Sequence, residues 1–312
     1  MRVLVTGGAG FMGRHLVRAL VARGDEVAVV DCQPRAALRP GTLPDSVLYE
    51  QADLGDPSCA RDLVARLLPR HVFHLASAVD VTRDLDLLEP QVRVTQMAAL
   101  HVARACLQYK VERLVHVGTC EEYGNGQVPF REDQDTSPVS PYSAAKVAAT
   151  AFVRMLCTSF GLRAVVVRPF LTYGPEQESN LLIPALIRSA LEGRDFPMTG
   201  GEQTREFNYV DDIVEGFLRA AEAPGVEGQI INIGCAEPRR IRDVAQLVLH
   251  LMGDPIRAEI GKLPYRPGET WEFYCSNERA RALLGWQPHV PLEEGLRRTI
   301  AWWQARKPGA RA

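Results

Sequence analysis

Tyr142 and Lys146 stand four positions apart at the start of a helical pattern, so both project from one helix face. A phenol titrates near 10 when unperturbed, which is too high for easy proton transfer at neutral pH. A neighbouring ammonium would stabilise the phenolate and lower that value. Tyr-x-x-x-Lys pairs also arise by chance on amphipathic helices, and the weight of this one comes from Thr119. Thr119 follows the strand-like run Leu114–Gly118, where its hydroxyl could share a reacting substrate oxygen with Tyr142. Cys120 and Glu121 come next, a thiol and a carboxylate that can serve as acid or base when their surroundings tune them. Cys120 could equally be a small filler behind the site, and Glu122 reads as a solvated neighbour.

A second group of residues suits a dinucleotide. Gly7-Gly8-Ala9-Gly10-Phe11-Met12-Gly13 lies between a strand pattern and a helix. Gly7 allows the tight turn, Gly10 lets a pyrophosphate approach the backbone, and Gly13 lets helix and strand pack closely. The helix start, opened by Phe11 and Met12, then faces the phosphates with free N–H groups. The next strand ends in Asp31, whose carboxylate would accept the adenosine ribose hydroxyls and repel a 2′-phosphate, so NAD is expected over NADP. Asp53-Leu54, Leu75-Ala76-Ser77 and Pro169 follow later strands, where strand ends line the cofactor crevice. Asp53 suits the adenine amino group, or an ordinary turn; Ala76 and Ser77 leave room for the pyrophosphate.

Positioning these groups requires alternating strands and helices. Strand-like runs are Val3–Thr6, Glu26–Asp31, Val47–Asp53, His71–Leu75, Leu114–Gly118 and Ala164–Arg168. Helical patterns cover Gly13–Arg23, Cys59–Leu68, Val92–Tyr109 and Ser143–Phe160. Nearly continuous apolar strands predict an α/β, doubly wound parallel sheet of the Rossmann kind. After Arg168-Pro169 the rhythm loosens, with helices expected at Leu181–Glu192, Asp212–Ala223, Ile241–Met252, Asn277–Leu284 and Leu292–Ala305, and Gln229–Ile233 returning to the main sheet. The expected division is a cofactor domain of residues 1–168 plus about 206–233, and a smaller mixed substrate lobe of about 169–205 and 234–312. Lys307–Ala312 reads as frayed.

Composition narrows the partners. A net charge of −2 over 312 residues gives no basic field for nucleic acid or a membrane surface. The seven cysteines are scattered without a CxxC pair, which fits reduced thiols and a cytoplasmic location. No apolar stretch suits a signal peptide or a membrane span. His15, His74, His101 and His116 sit in apolar patterns and read as packing; no grouping has metal-ligand spacing. Trp302-Trp303 reads as packing of the last helix.

The motifs Thr6-Gly7-Gly8-Ala9-Gly10-Phe11-Met12-Gly13, Thr119…Tyr142-x-x-x-Lys146 and Tyr123-Gly124 resemble the extended short-chain dehydrogenase/reductase family. Arg205-Glu206-Phe207 with Val210-Asp211-Asp212, Arg266-Pro267-Gly268-Glu269 and Leu284-Gly285-Trp286-Gln287-Pro288 extend the likeness to its nucleotide-sugar epimerase/dehydratase branch, over nearly the whole chain. The resemblance implies a bound NAD that transiently oxidises the sugar at C4. It implies Tyr142 as the base on the hydroxyl, Thr119 as its helper and Lys146 as its tuner. It implies that Arg205 and Arg266 grip the diphosphate of a UDP-, GDP-, CDP- or dTDP-sugar and that Glu269 touches the nucleotide ribose. A homodimer through the helices Val92–Tyr109 and Ser143–Phe160 is a further family-level expectation.

Once a 4-ketone exists, hydride return to the other face gives epimerisation, and loss of the C5 proton with the C6 hydroxyl gives dehydration. Thr119-Cys120-Glu121 resembles the Thr-Asp-Glu of hexose 4,6-dehydratases, whose glutamate takes the C5 proton, and this favours dehydration with 4-epimerisation close behind. A 4-keto-sugar reductase and a non-catalytic NAD-binding sensor are the remaining alternatives. Three positions depart from the family pattern. Leu171 and Thr95 each replace a usual amide or hydroxyl partner, and Met12 replaces isoleucine. Asn180 could supply a substitute amide to the substrate, or cap the helix before Leu181.

Overall fold

Seven apolar segments pair side by side in one wholly parallel sheet in the computed structural model, which describes residues 1–177, 180–266 and 268–306. They are β1 (Arg2–Thr6), β2 (Glu26–Asp31), β3 (Leu48–Gln51), β4 (His71–His74), β5 (Arg113–Val117), β6 (Ala164–Pro169) and β7 (Ile230–Ile233), ordered β7-β6-β5-β4-β1-β2-β3. Side chains alternate faces along each strand, so an all-apolar strand must be covered twice. On one side Val3, Val5, Val115 and Val117 pack with Leu16, Val17 and Leu20 of α1 (Phe11–Ala22) and with Ile213 and Phe217 of the helix Val210–Glu222. On the other, Leu4, Val72, Leu114 and Val166 meet Leu63 and Val64 of α2 (Pro57–Leu67), Ala98 and Val102 of α3 (Ala98–Gln108), and Val153 of α4 (Pro141–Phe160). The strand order reverses between β1 and β4, and their C-terminal ends open the crevice in which such sheets bind ligands.

Local chemistry fixes the helix starts. Asp56 caps α2 through the Ser58 N–H (2.9 Å), with Pro57 behind it. Ser140 and Ser143 cap α4 reciprocally and Pro141 occupies its first turn, which sets the azimuth of Tyr142 and Lys146. In α1 the cap is Gly10, which has no side chain to satisfy the first N–H groups.

Two expectations are corrected. The helix expected from Val92 begins at Leu88, and Val92–Met97 is wound in wider π-type turns before α3. Buried Thr95 there donates to Gln91 Oε1 (2.8 Å), and Gln91 Nε2 donates to the Ala78 carbonyl (2.8 Å), which ties this helix to the loop after β4. Asn180 caps nothing. It is exposed, and the helix Leu182–Glu192 starts behind Leu181 because Ile183, Leu186 and Ile187 bury its apolar stripe.

The rest of the chain builds a second core from Ile183, Leu186, Val244, Val248, Leu296 and Ile300 on the helices Leu182–Glu192, Ile241–Leu251 and Leu292–Gln304. Trp286, fully buried, donates to the Asp212 carbonyl (2.9 Å) and joins the C-terminal segment to the sheet's helices. Glu176 accepts from Arg14 (3.3 Å) and Arg18 (2.5 Å), which fastens the segment after β6 to α1. Trp302 and Trp303 pack edge to face, at 5.3 Å. Among the described residues every cysteine is free, no group of side chains is poised for a metal, and no helix is long and apolar enough to cross a membrane. Pro267 and Lys307–Ala312 lie outside the described residues.

Candidate active site

The glycine loop is built to exclude side chains. A Cβ on Gly13 would lie 2.2 Å from the Gly7 carbonyl oxygen, and one on Gly7 would lie 2.7 Å from the Ala76 nitrogen. Gly7 adopts φ +69°, the left-handed region that glycine enters freely. Gly10 meets just the Gly7 carbonyl, at 3.2 Å, so its outer side stays open to a phosphate. Asp31 Oδ2 accepts the Ala9 N–H (3.1 Å) and Oδ1 that of Gln33 (3.1 Å), which holds the carboxylate beside the loop. Arg14 donates to the Ala9 and Gly10 carbonyls (3.0 and 3.1 Å) and braces the loop from outside. Phe11 stacks edge-on against His15, and Met12 packs on the core. Uncapped N–H groups, the cradle between Gly7 and Gly13 and the ribose-height carboxylate fit NAD.

Around the rest of the crevice, Thr6 Oγ1 and His74 Nδ1 share a hydrogen bond (2.7 Å), and Thr6 Oγ1 also accepts the Ala76 N–H (3.4 Å), which fixes the Leu75–Ser77 turn. The Leu54 side chain is buried in the core, while Asp53 is ion-paired with Arg93 and accepts the Gly55 N–H (2.8 Å). Pro169 ends β6 opposite Ile233. Buried His116 stacks on His74 at 5.5 Å, and burial pushes the His74 imidazolium down to about 3, so both rings pack as neutral groups.

Thr119, Cys120, Glu121, Tyr142 and Lys146 meet at the C-terminal end of β5. Thr119 caps the turn Cys120–Glu122 by accepting the Glu121 N–H (3.3 Å). Burial raises the Tyr142 phenol above its ordinary value, and the Thr119 and Ser77 hydroxyls oppose that shift. Lys146 donates to the Val117 carbonyl (2.8 Å) and lies 5.9 Å from the Tyr142 ring centre. Burial lowers the Lys146 ammonium to about 8, opposed by Glu122. Burial also pushes the Cys120 thiol well up, so it stays protonated, and raises the Glu121 carboxyl against the pull of Arg205. A phenol, a hydroxyl, an ammonium, a neutral thiol and a carboxyl of weakened acidity therefore share one side of the crevice. Such a set can remove a hydroxyl proton and exchange a second proton nearby.

The two arginines expected at the phosphates differ in burial, and the Glu269 N–H, bonded to the Arg266 carbonyl (3.1 Å), links them through one turn. Arg205 donates to Glu269 (3.0 Å), both being largely buried. Arg266 is exposed, as are Leu171 and Asn180. The Leu171 carbonyl, rather than its side chain, is engaged; it accepts from both nitrogens of Asn208.

The reading of Glu122 as a solvated neighbour is wrong. It is fully buried, its Oε1 accepts the Thr119 N–H (3.0 Å), and its Oε2 accepts from Arg168 (2.7 Å). Burying Arg168 at the end of an apolar strand requires a carboxylate partner, and that was the sequence signal available. The bond from Gln91 to the Ala78 carbonyl was a second omission, with no signal in local spacing.

Comparison with known proteins agrees with this geometry. A profile of the NAD dependent epimerase/dehydratase family matches residues 3–234. The chain is 32% identical to a UDP-glucose 4-epimerase of Mycolicibacterium smegmatis, over 97% of this chain and 99% of that one. It is 29% identical to dTDP-glucose 4,6-dehydratase 1 of Escherichia coli K12, over 97% and 92%. The Thermus thermophilus UDP-glucose 4-epimerase solved with NAD superposes with a TM-score of 0.85 at 31% identity, over 98% of this chain and 100% of that one.

Proposed function

This chain belongs to the NAD dependent epimerase/dehydratase family, and from that premise we propose that it oxidises a nucleoside-diphosphate hexose at C4 and then eliminates water across C5 and C6. NAD, when held by the Gly7–Gly13 loop and Asp31, would supply the acceptor for the C4 hydride and, after elimination, the donor that returns it to C6, with the proton taken by Glu121 going back to C5. Tyr142 removes the C4 hydroxyl proton, with Thr119 hydrogen-bonded to the same oxygen and Lys146 stabilising the phenolate. Glu121 takes the C5 proton, which the 4-ketone has made acidic. Cys120, as a neutral thiol, protonates the departing C6 hydroxyl. The observation that carries dehydration is the half-buried Glu121 carboxyl beside Thr119, which burial makes a stronger proton acceptor than a solvated carboxylate.

Gly7, Gly10, Phe11, Met12, Gly13, Asp31, Leu75, Ala76, Ser77 and Pro169 form the cofactor side in this reading. Its domain then comprises residues 1–168 with about 206–233, and the remainder closes over the sugar nucleotide. Arg205 reaches the sugar end of the substrate, because it acts on Glu121 and Cys120. Arg266, on the exposed rim, is left to the diphosphate.

Simple 4-epimerisation is the second reading, supported by the likeness to two UDP-glucose 4-epimerases over nearly their full lengths. Incubation with UDP-, GDP-, CDP- and dTDP-hexoses, followed by mass spectrometry, separates the two. A product lighter by one water is expected. An isomer of unchanged mass would replace the first reading by the second, and no conversion of any donor would remove both.

A homodimer is also proposed. Phe152, Met155 and Phe160 of α4 are exposed beside Leu100 and Leu107 of α3, an apolar stripe that a second copy would cover. Met155→Glu is expected to sediment as a monomer, whereas an unchanged sedimentation coefficient would place the contact elsewhere.

A further inference from the structure

Glu122 and Arg168 form an ion pair at the centre of the molecule, with 0% and 2% side-chain exposure. Replacing a buried pair of this kind with apolar side chains is often neutral or stabilising, so stability alone does not account for it. Its surroundings are shaped for it. A Cβ at Gly118 would lie 2.4 Å from Glu122 Oε1, so the carboxylate fills the space that a side chain at 118 would take. The Arg168 guanidinium lies over the Tyr123 ring at 4.6 Å, Tyr123 donates to Asn232 Oδ1 (2.7 Å), and Asn232 Nδ2 donates to the Phe130 carbonyl (3.1 Å). The pair is therefore braced from β7 and from the loop that carries Phe130.

The active-site side of this brace holds the meaning. One Glu122 oxygen is bonded to the backbone N–H of Thr119, the residue whose hydroxyl faces Tyr142. Lys146 is anchored on the Val117 carbonyl, one residue before Gly118. The other titratable groups facing Lys146 are His74 on β4 and His116 on β5, both neutral, and Tyr142 on its own helix; Cys120 faces Tyr142 as a neutral thiol. Glu122 is thus the negative charge behind the pair.

We propose that Glu122 is a positioning residue of this site: it fixes the Thr119 backbone and sets a negative charge, braced by Arg168, behind Tyr142 and Lys146. This rests on the reading of Thr119, Tyr142 and Lys146 as the reacting machinery. A nearby negative charge makes both the phenol and the ammonium hold their protons to higher pH. Its removal therefore moves both limbs of the pH–rate profile towards acid.

The test is steady-state kinetics across pH on Glu122→Gln, on Glu122→Asp, and on Glu122→Gln/Arg168→Met, which leaves no unpaired buried cation. Glu122→Gln is expected to lower kcat about tenfold through misplacement of Thr119, with KM within about twofold, and to shift the profile about one pH unit towards acid. The double variant shifts in the same direction but by less, because the Arg168 cation it also removes opposes the Glu122 charge, while Glu122→Asp loses rate but keeps the wild-type profile. A profile superimposable on the wild type in Glu122→Gln, or in the double variant should the single one fail to fold, overturns the proposal. If Tyr142→Phe retained full turnover, the underlying reading would fail instead, so the two failures are distinct.

Discussion

Tyr142→Phe is expected to lower turnover on the converted sugar nucleotide by about 10³-fold while leaving the protein folded and loaded with NAD. The phenol is 5% exposed and its oxygen lies among the Thr119 and Ser77 hydroxyls, so removing it deletes the one group placed to take the substrate hydroxyl proton. The ring stays, and with it the packing; the loss in stability should stay near 1 kcal/mol, the scale of one net hydrogen bond. Turnover, NAD content and melting temperature measured on one preparation separate these effects. Undiminished turnover would leave Tyr142 without its proposed part and revive the sensor alternative.

Gly13→Ala is expected to abolish retention of NAD. The added carbon would meet the Gly7 oxygen at 2.2 Å, the Gly8 Cα at 2.8 Å and the Gly8 carbonyl carbon at 3.0 Å, all of them backbone atoms that cannot rotate aside. The first turn of α1 must then lift off the loop. Overpacking of this kind costs up to about 3 kcal/mol, and if that strain falls on the bound state it weakens affinity roughly 100-fold. Gly10→Ala supplies the contrast: its Cβ meets the Gly7 oxygen alone, at 3.2 Å, and otherwise points to where the pyrophosphate would lie. It should release NAD with little change in the melting temperature of the NAD-free protein, whereas Gly13→Ala loses both. Chromatographic NAD content after purification decides the first point and thermal unfolding the second. A Gly13→Ala protein that copurifies with as much NAD as the wild type would show that the cradle yields more easily than its geometry implies.

The two largest effects fall on residues that are both legible in the sequence. Gly7 to Gly13 could be read from spacing because the loop's contacts lie within one strand–turn–helix unit, on the strand that follows it at Val29 to Asp31, or against the neighbouring turn Leu75–Ala76. Tyr142 and Lys146 were legible for the same reason, since helix periodicity and the Ser140-Pro141 start fix their common face. Thr119 needed the added premise that β5 ends in the crevice. Glu122 was missed because its neighbours are remote in sequence: Arg168 is 46 residues away and reaches it through the register of β5 and β6.

The doubly wound sheet, the glycine loop, the expectation of NAD and the placing of Thr119 at a strand end and of Tyr142 and Lys146 on one helix face are legible in the chain alone. Each is written in local periodicity, in glycine positions or in short spacings that one element can satisfy alone. Folding in three dimensions sets Glu122 against Arg168, Arg205 against Glu269, and Thr95, through Gln91, against the Ala78 carbonyl. Those pairings join segments whose separation along the chain carries no periodic signal. Which charge meets which is fixed by strand order, strand register and the closure of the second lobe, and a buried charge takes whatever partner that closure brings within reach.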